Sequence, residues 1–179
     1  MKTSVALLIA GFACIGCASS AKVAEPPAAP VPDNLKPPAG QTASVTARAV
    51  GVQIYECKPK KDDPSQLEWA LKGPDAELRD AGGQKIGKHY LGPTWEANDG
   101  SKVVGEVKAK DPGPDPAAIP WLMLKAKSTE GAGVLGKTAS IQRLYTTGGK
   151  APSDGCGKEA EGAVVRVDYK ATYRFYRAQ

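Results

Sequence analysis

An all-β fold, mainly an antiparallel sandwich or distorted barrel, is what this sequence predicts, and three observations carry the prediction. Apolar and polar residues alternate with period two over several segments, while sustained helical periodicity is absent. Gly-Pro and Asp-Gly pairs separate those segments at hairpin spacing. The terminal run from Ala163 to Tyr176 alternates without a break, which calls for a sheet whose neighbours change along one long strand.

Taken in order, the chain opens with a targeting signature. Lys2 precedes an apolar run from Val5 to Ile15 that is too short to span a bilayer as a mature helix, so residues 1–16 read as a signal peptide. The tetrapeptide Cys14-Ile15-Gly16-Cys17 resembles the bacterial lipoprotein box, which makes Cys17 the expected lipidated N-terminus; Cys14 stands where that pattern prefers leucine. Plain cleavage near Ala18 or Ala21 is the competing reading. Both predict export to the cell envelope or periplasm, and an alanine rather than an aspartate after Cys17 favours the outer membrane. Residues 17–44 then form a lipid anchor and a disordered Pro/Ala-rich linker, with six prolines between Pro26 and Pro38.

Charge and cysteine usage narrow the class. Loss of Lys2 with the signal leaves 23 basic against 19 acidic residues, a formal +4 spread without a basic run, and aromatics are 6%. A nucleic-acid groove is not indicated. Of four cysteines, Cys57 and Cys156 remain in the expected mature domain, and an oxidising compartment favours a disulfide between them. Two cysteines and one histidine are too few for a metal site, so no metal or cofactor is expected.

The single β domain is expected over residues 45–179. Its first strand runs from Val45 to Cys57, where Val45, Ala47 and Ala49 share one phase and Val50, Val52 and Ile54 the other; a bulge at Gly51 would reconcile them. Cys57 falls on the face of Tyr55. Further strands are expected at Lys102–Lys108, Trp121–Lys127 and Ser140–Thr146. Trp121 to Leu124 are apolar on both faces, as in a central or covered strand. Asp111–Pro120, with four prolines, reads as a rigid surface loop. Two similarly written segments, from Gly73 and from Gly92, predict successive hairpins with turns at Ala81-Gly82-Gly83 and Asp99-Gly100. In the last strand Ala163, Val165, Val167, Tyr169, Ala171, Tyr173 and Phe175 share the core face.

The motifs HYLGPTWEANDGSKVVG (from His89), IPWLMLKA (from Ile119), IQRLYTTGGKAP (from Ile141) and YKATYRFY (from Tyr169) occur in this order. Together they resemble a secreted family designated domain of unknown function 3455, across Val45 to Tyr176. The resemblance implies an exported β-rich domain with Cys57 paired to Cys156, and no activity, cofactor or catalytic residue.

Two chemistries suit the stretch from His89 to Gly100. An aromatic platform of Tyr90, Trp95, Trp121 and Tyr145, with Glu96, Asn98 and Arg143 as hydrogen-bonding groups, would bind an envelope glycan or peptide. Trp95 and Trp121 are also natural core residues. A hydrolase would use His89 as general base with Glu96 or Asp99 as its orienting carboxylate. Alternation separates His89 from Tyr90 and Trp95 from Glu96, so spacing alone does not bring acid to base. Nucleophile elbows and phosphate loops are lacking. The expectation is an exported, lipid-anchored envelope protein serving as a noncatalytic binding or structural module, with a hydrolase using His89 and Glu96 as the alternative.

Overall fold

The computed structural model describes residues 29–179. The expected signal peptide, Cys17 and the beginning of the spacer lie outside the described residues. Eight strands follow one another: β1 (Gln41–Pro59), β2 (Leu67–Arg79), β3 (Lys85–Tyr90), β4 (Thr94–Ala97), β5 (Lys102–Asp111), β6 (Trp121–Glu130), β7 (Thr138–Gly148) and β8 (Val164–Ala178). Each pairs antiparallel with its sequence neighbour, and β8 returns to pair with β1, closing a barrel. Of the two expected architectures the barrel is the one formed. The length of β8 explains it: β8 pairs with β1 from Gln41 to Glu56 and with β7 from Thr138 to Gly148, leaving neither of its edges open.

Alternation sets the inside. Tyr169, Ala171, Tyr173 and Phe175 of β8 are buried as the pattern predicts, and they pack with Ala47, Ala49, Trp95, Val103, Leu124 and Ile141 in one core within the barrel. Lys88, Glu96 and Arg174 lie on the other phase of their strands, outside that core. This polarity is the reverse of a barrel that crosses a bilayer, whose apolar band faces outward.

Gly51 corrects the reading of β1. No face switch occurs there: Ala47, Ala49, Gln53, Tyr55 and Cys57 all point inward in one phase, and Val50 is exposed. A Cβ on Gly51 would meet the Asp75 carbonyl at 2.2 Å, so the glycine admits close approach of β2 instead of marking a bulge. The register shifts lie elsewhere, at Ala43/Val45 against β8 and at Ile54/Tyr55 against β2.

β1 begins at Gln41, ahead of Val45, and residues 29–40, expected as spacer, lie against the barrel. A short 3-10 turn at Asp33–Leu35 buries Leu35 completely among Trp121, Met123 and Leu144 on the outer face of β6 and β7. Gln142 Nε2 donates to the Leu35 carbonyl (2.5 Å), and Tyr176 Oη donates to Gln142 Oε1 (2.6 Å). Proline-rich composition suggested a solvated spacer, but one leucine over an apolar outer face is enough to hold this strap down. The strap is also why β6 is apolar on both faces.

Both ends of the barrel are capped. At one end Asp99 accepts from the Ser101 and Val134 backbone amides (2.9 and 2.8 Å), and Ser101 Oγ accepts from the Leu135 amide (3.0 Å). These bonds fix the β6–β7 loop so that Leu135 joins the inner core. At the other end the loop after Asp111 returns inward. Its Ala118 and Ile119 are buried, and Ile119 exchanges bonds with the Gly148 carbonyl (2.8 Å) and Thr146 Oγ1 (2.6 Å). The proline-rich loop is thus partly a lid of the core. Cys57 and Cys156 form the expected disulfide, with Cα atoms 5.4 Å apart and 99 residues of separation, tying β1 to the segment before β8.

Candidate functional site

The opening into the barrel is in its side wall. β3 pairs with β2 only as far as Asp75–Tyr90, and β4 pairs with β5 only as far as Thr94–Val104, whereas β2 and β5 both continue beyond. The short β3–β4 hairpin, turning at Leu91-Gly92-Pro93, therefore leaves a window between the far halves of β2 and β5. A cavity of about 460 Å³ opens there, within the range that holds a small organic ligand. Leu71, Leu91 and Val107 stand at this mouth and are 56%, 65% and 38% exposed, an apolar rim on an otherwise charged wall.

Behind the window are Gln53, Tyr55, His89, Trp95, Leu122, Arg143 and Tyr173. Trp95 pairs with His89 across the hairpin, and their rings stack at 4.3 Å with an interplanar angle of 6°. Tyr173 meets both edge-on, at 5.0 and 5.2 Å. Gly105 makes this possible, because a Cβ there would stand 2.9 Å from the Trp95 ring.

His89 Nδ1 lies 2.8 Å from the Thr94 carbonyl, which can only accept, so the proton resides on Nδ1 and Nε2 is an acceptor. Burial holds the imidazole pKa down to about 3; the Thr94 bond raises it somewhat, and the Arg143 charge lowers it further. At neutral pH the ring is uncharged and a weak base. Burial raises the Tyr173 and Tyr169 hydroxyls well above their usual value, so both remain protonated. Arg143 Nε and Nη2 both donate to the Pro120 carbonyl (3.0 and 2.8 Å).

The residues singled out in the sequence divide among separate surfaces. His89, Trp95 and Arg143 share the cavity. Glu96 is on the outer face, where Tyr90 Oη donates to it (2.8 Å) and Lys88 and Lys102 flank it at 3.4 and 4.0 Å. The Tyr90 bond first, then the lysines, hold its pKa down. His89 and Glu96 point to opposite sides of the wall and are not assembled as base and orienting acid. Asp99 is committed to the capped end. Asn98 Nδ2 donates to the Lys85 carbonyl in its hairpin (2.7 Å). Trp121 packs edge-on against Tyr145 beneath the strap (5.1 Å). The aromatic platform is consequently not brought together: Trp95 is inside, Tyr90 outside, and Trp121 with Tyr145 under the N-terminal segment.

Sequence reasoning missed Gln53, Tyr55, Leu71, Leu91 and Tyr173 as site residues. Tyr173 is legible as inward-facing, whereas the expected phase change at Gly51 put Tyr55 on the face opposite Val52 and Ile54; that the two meet one window required the barrel to close. Among the described residues, no three His, Cys, Asp or Glu side chains gather as a metal site.

Fold and site together define a disulfide-tied, closed eight-stranded barrel with a side-opening internal cavity. The chain belongs to the family described as protein of unknown function (DUF3455), whose model matches residues 38–177, from just ahead of β1 almost to the end of β8. No curated protein and no solved structure matches it.

Proposed function

We propose that this protein is a noncatalytic small-molecule-binding module, exported and tethered by lipid at Cys17 to the cell envelope, at the outer membrane or facing the periplasm. The carrying observation is the cavity itself: a concave, mainly apolar space inside a rigid barrel, with a few inward polar groups and an apolar rim. The Cys57–Cys156 bridge supports an oxidising location, and the sequence around Cys17 supports the anchor. A neutral, stacked His89 without an adjacent carboxylate argues against general-base chemistry.

Fluorescence titration with the neutral probe N-phenyl-1-naphthylamine tests the binding reading. The full chain carrying Cys17→Ser, which removes the lipid acceptor, should bind it at one saturable site. Leu71→Asp with Leu91→Asp, both at exposed positions, should weaken binding severalfold while leaving the melting temperature close to wild type. Absence of saturable binding, or His89-dependent turnover in an ester and amide panel, would overturn the proposal.

A further inference from the structure

The cavity contains a cation and no anion. Among the described residues Arg143 is the one guanidinium lining it, and no Asp or Glu side chain does so. Two of the five N–H groups of Arg143 are used on the Pro120 carbonyl, and none forms an ion pair among the described residues. Gln53 Nε2 is buried without a hydrogen-bond partner among the described residues, and Tyr173 Oη, which lies close to Arg143 and to the Tyr169 hydroxyl, has no acceptor for its own proton there. Buried polar groups are ordinarily satisfied, so unspent donors gathered at one cavity point to an acceptor-rich guest. At the mouth Lys72 is countered by Glu56 at 3.5 Å, whereas Lys110 forms no ion pair among the described residues. The cavity is therefore positive inside and apolar at its rim.

Resting on the binding reading above, we infer that the ligand is an anionic amphiphile, a monocarboxylate with an apolar body. Its carboxylate meets Arg143, Tyr173 and Gln53, and its body leaves through the Leu71–Leu91–Val107 rim. A planar carboxylate accepts from a guanidinium fork in two parallel bonds, which a hydroxyl cannot match. The Arg143 charge is also felt by Tyr55, Tyr169 and Tyr173: burial raises each hydroxyl first, and the cation partly offsets it.

Three probes with one tail and different heads test this by displacing N-phenyl-1-naphthylamine from the full chain carrying Cys17→Ser: decanoate, decanol and decyltrimethylammonium, each below its micellar concentration. Decanoate should displace the dye at about tenfold lower concentration than decanol, as one desolvated charge-assisted pair warrants, and the ammonium probe should be weakest. In Arg143→Met the ratio of decanoate to decanol displacement should fall to about one, whatever shift the two share. Tyr173→Phe should reduce the advantage severalfold, and serves if Arg143→Met fails to fold. Equal displacement by decanoate and decanol in the wild type, or a decanoate preference that survives these substitutions, would overturn the carboxylate assignment and leave the cavity reading standing. Failure of the dye to bind at all would overturn both.

Discussion

Between pH 6.5 and 5, acid should destabilise this barrel mainly through one residue, because the chain contains a single histidine and folding buries it uncharged. The unfolded imidazole titrates near 6.5, and the folded one is held at about 3. The folded pKa is depressed, so the unfolded state binds the proton first as pH falls. The stability from His89 is thus fully present above about 6.5 and is lost progressively toward pH 3. At pH 5 the loss is about 2 kcal/mol, at roughly 1.4 kcal/mol per pH interval. Exposed carboxylates such as Glu96 and Glu77 also have depressed values, but their unfolded counterparts begin to protonate only as pH approaches 5, so His89 dominates the slope from pH 6.5 down to that point. Urea unfolding followed by circular dichroism at pH 7.5, 6.5, 5.8 and 5.0 measures the slope. His89→Asn, whose amide can still donate to the Thr94 carbonyl, should be less stable at pH 7.5 and nearly flat across the window. A flat wild type, or a variant with the wild-type slope, would refute the buried neutral imidazole.

Three further outcomes follow from the packing. Replacing Cys57 and Cys156 together by alanine should cost about 2–5 kcal/mol in urea unfolding, since their bridge closes most of the domain; thiol titration of the unreduced protein should find neither cysteine free. Leu35→Ala should lower stability by about 2–5 kcal/mol in the same urea assay, and an unchanged midpoint would contradict the docked strap. Ser101→Ala should cost about 1–3 kcal/mol by leaving the Leu135 amide unpaired at the capped end, with faster hydrogen exchange at Val134 and Leu135 as the local readout.

The strand content was legible because period-two alternation reports which side chains share a face, and β8 kept its expected phase through Phe175. Closure was not legible, because it depends on β1 meeting β8 across the whole sequence. Gly51 misled for a local reason: Val50, Val52 and Ile54 are apolar on an outer face, so hydrophobicity alone suggested a phase change that the backbone does not make. The strap was hidden by its prolines, which describe backbone stiffness and say nothing about where Leu35 docks. In the site, alternation separated His89 from Tyr90 and Trp95 from Glu96 in advance, yet it did not reveal that His89 and Trp95 stack. The unmade hydrogen bonds of Gln53 and Tyr173 were invisible until their strands came together. Trp121 illustrates the remaining difficulty: one tryptophan packs beneath a strap and another lines a cavity, and composition does not distinguish them.

The three tryptophans lie in three different places, which provides the most direct test of the ligand cavity. Trp69 Nε1 donates to the Asp154 carbonyl (2.8 Å) near the disulfide, Trp121 lies under the strap, and Trp95, in the cavity wall, has a buried Nε1 without a partner among the described residues. Decanoate titrated into the ¹⁵N-labelled full chain carrying Cys17→Ser should shift the Trp95 indole N–H resonance in NMR spectra and leave those of Trp69 and Trp121 unmoved. A shift at Trp121 or Trp69 with Trp95 unchanged, or no shift at any of the three, would contradict a ligand site inside the barrel.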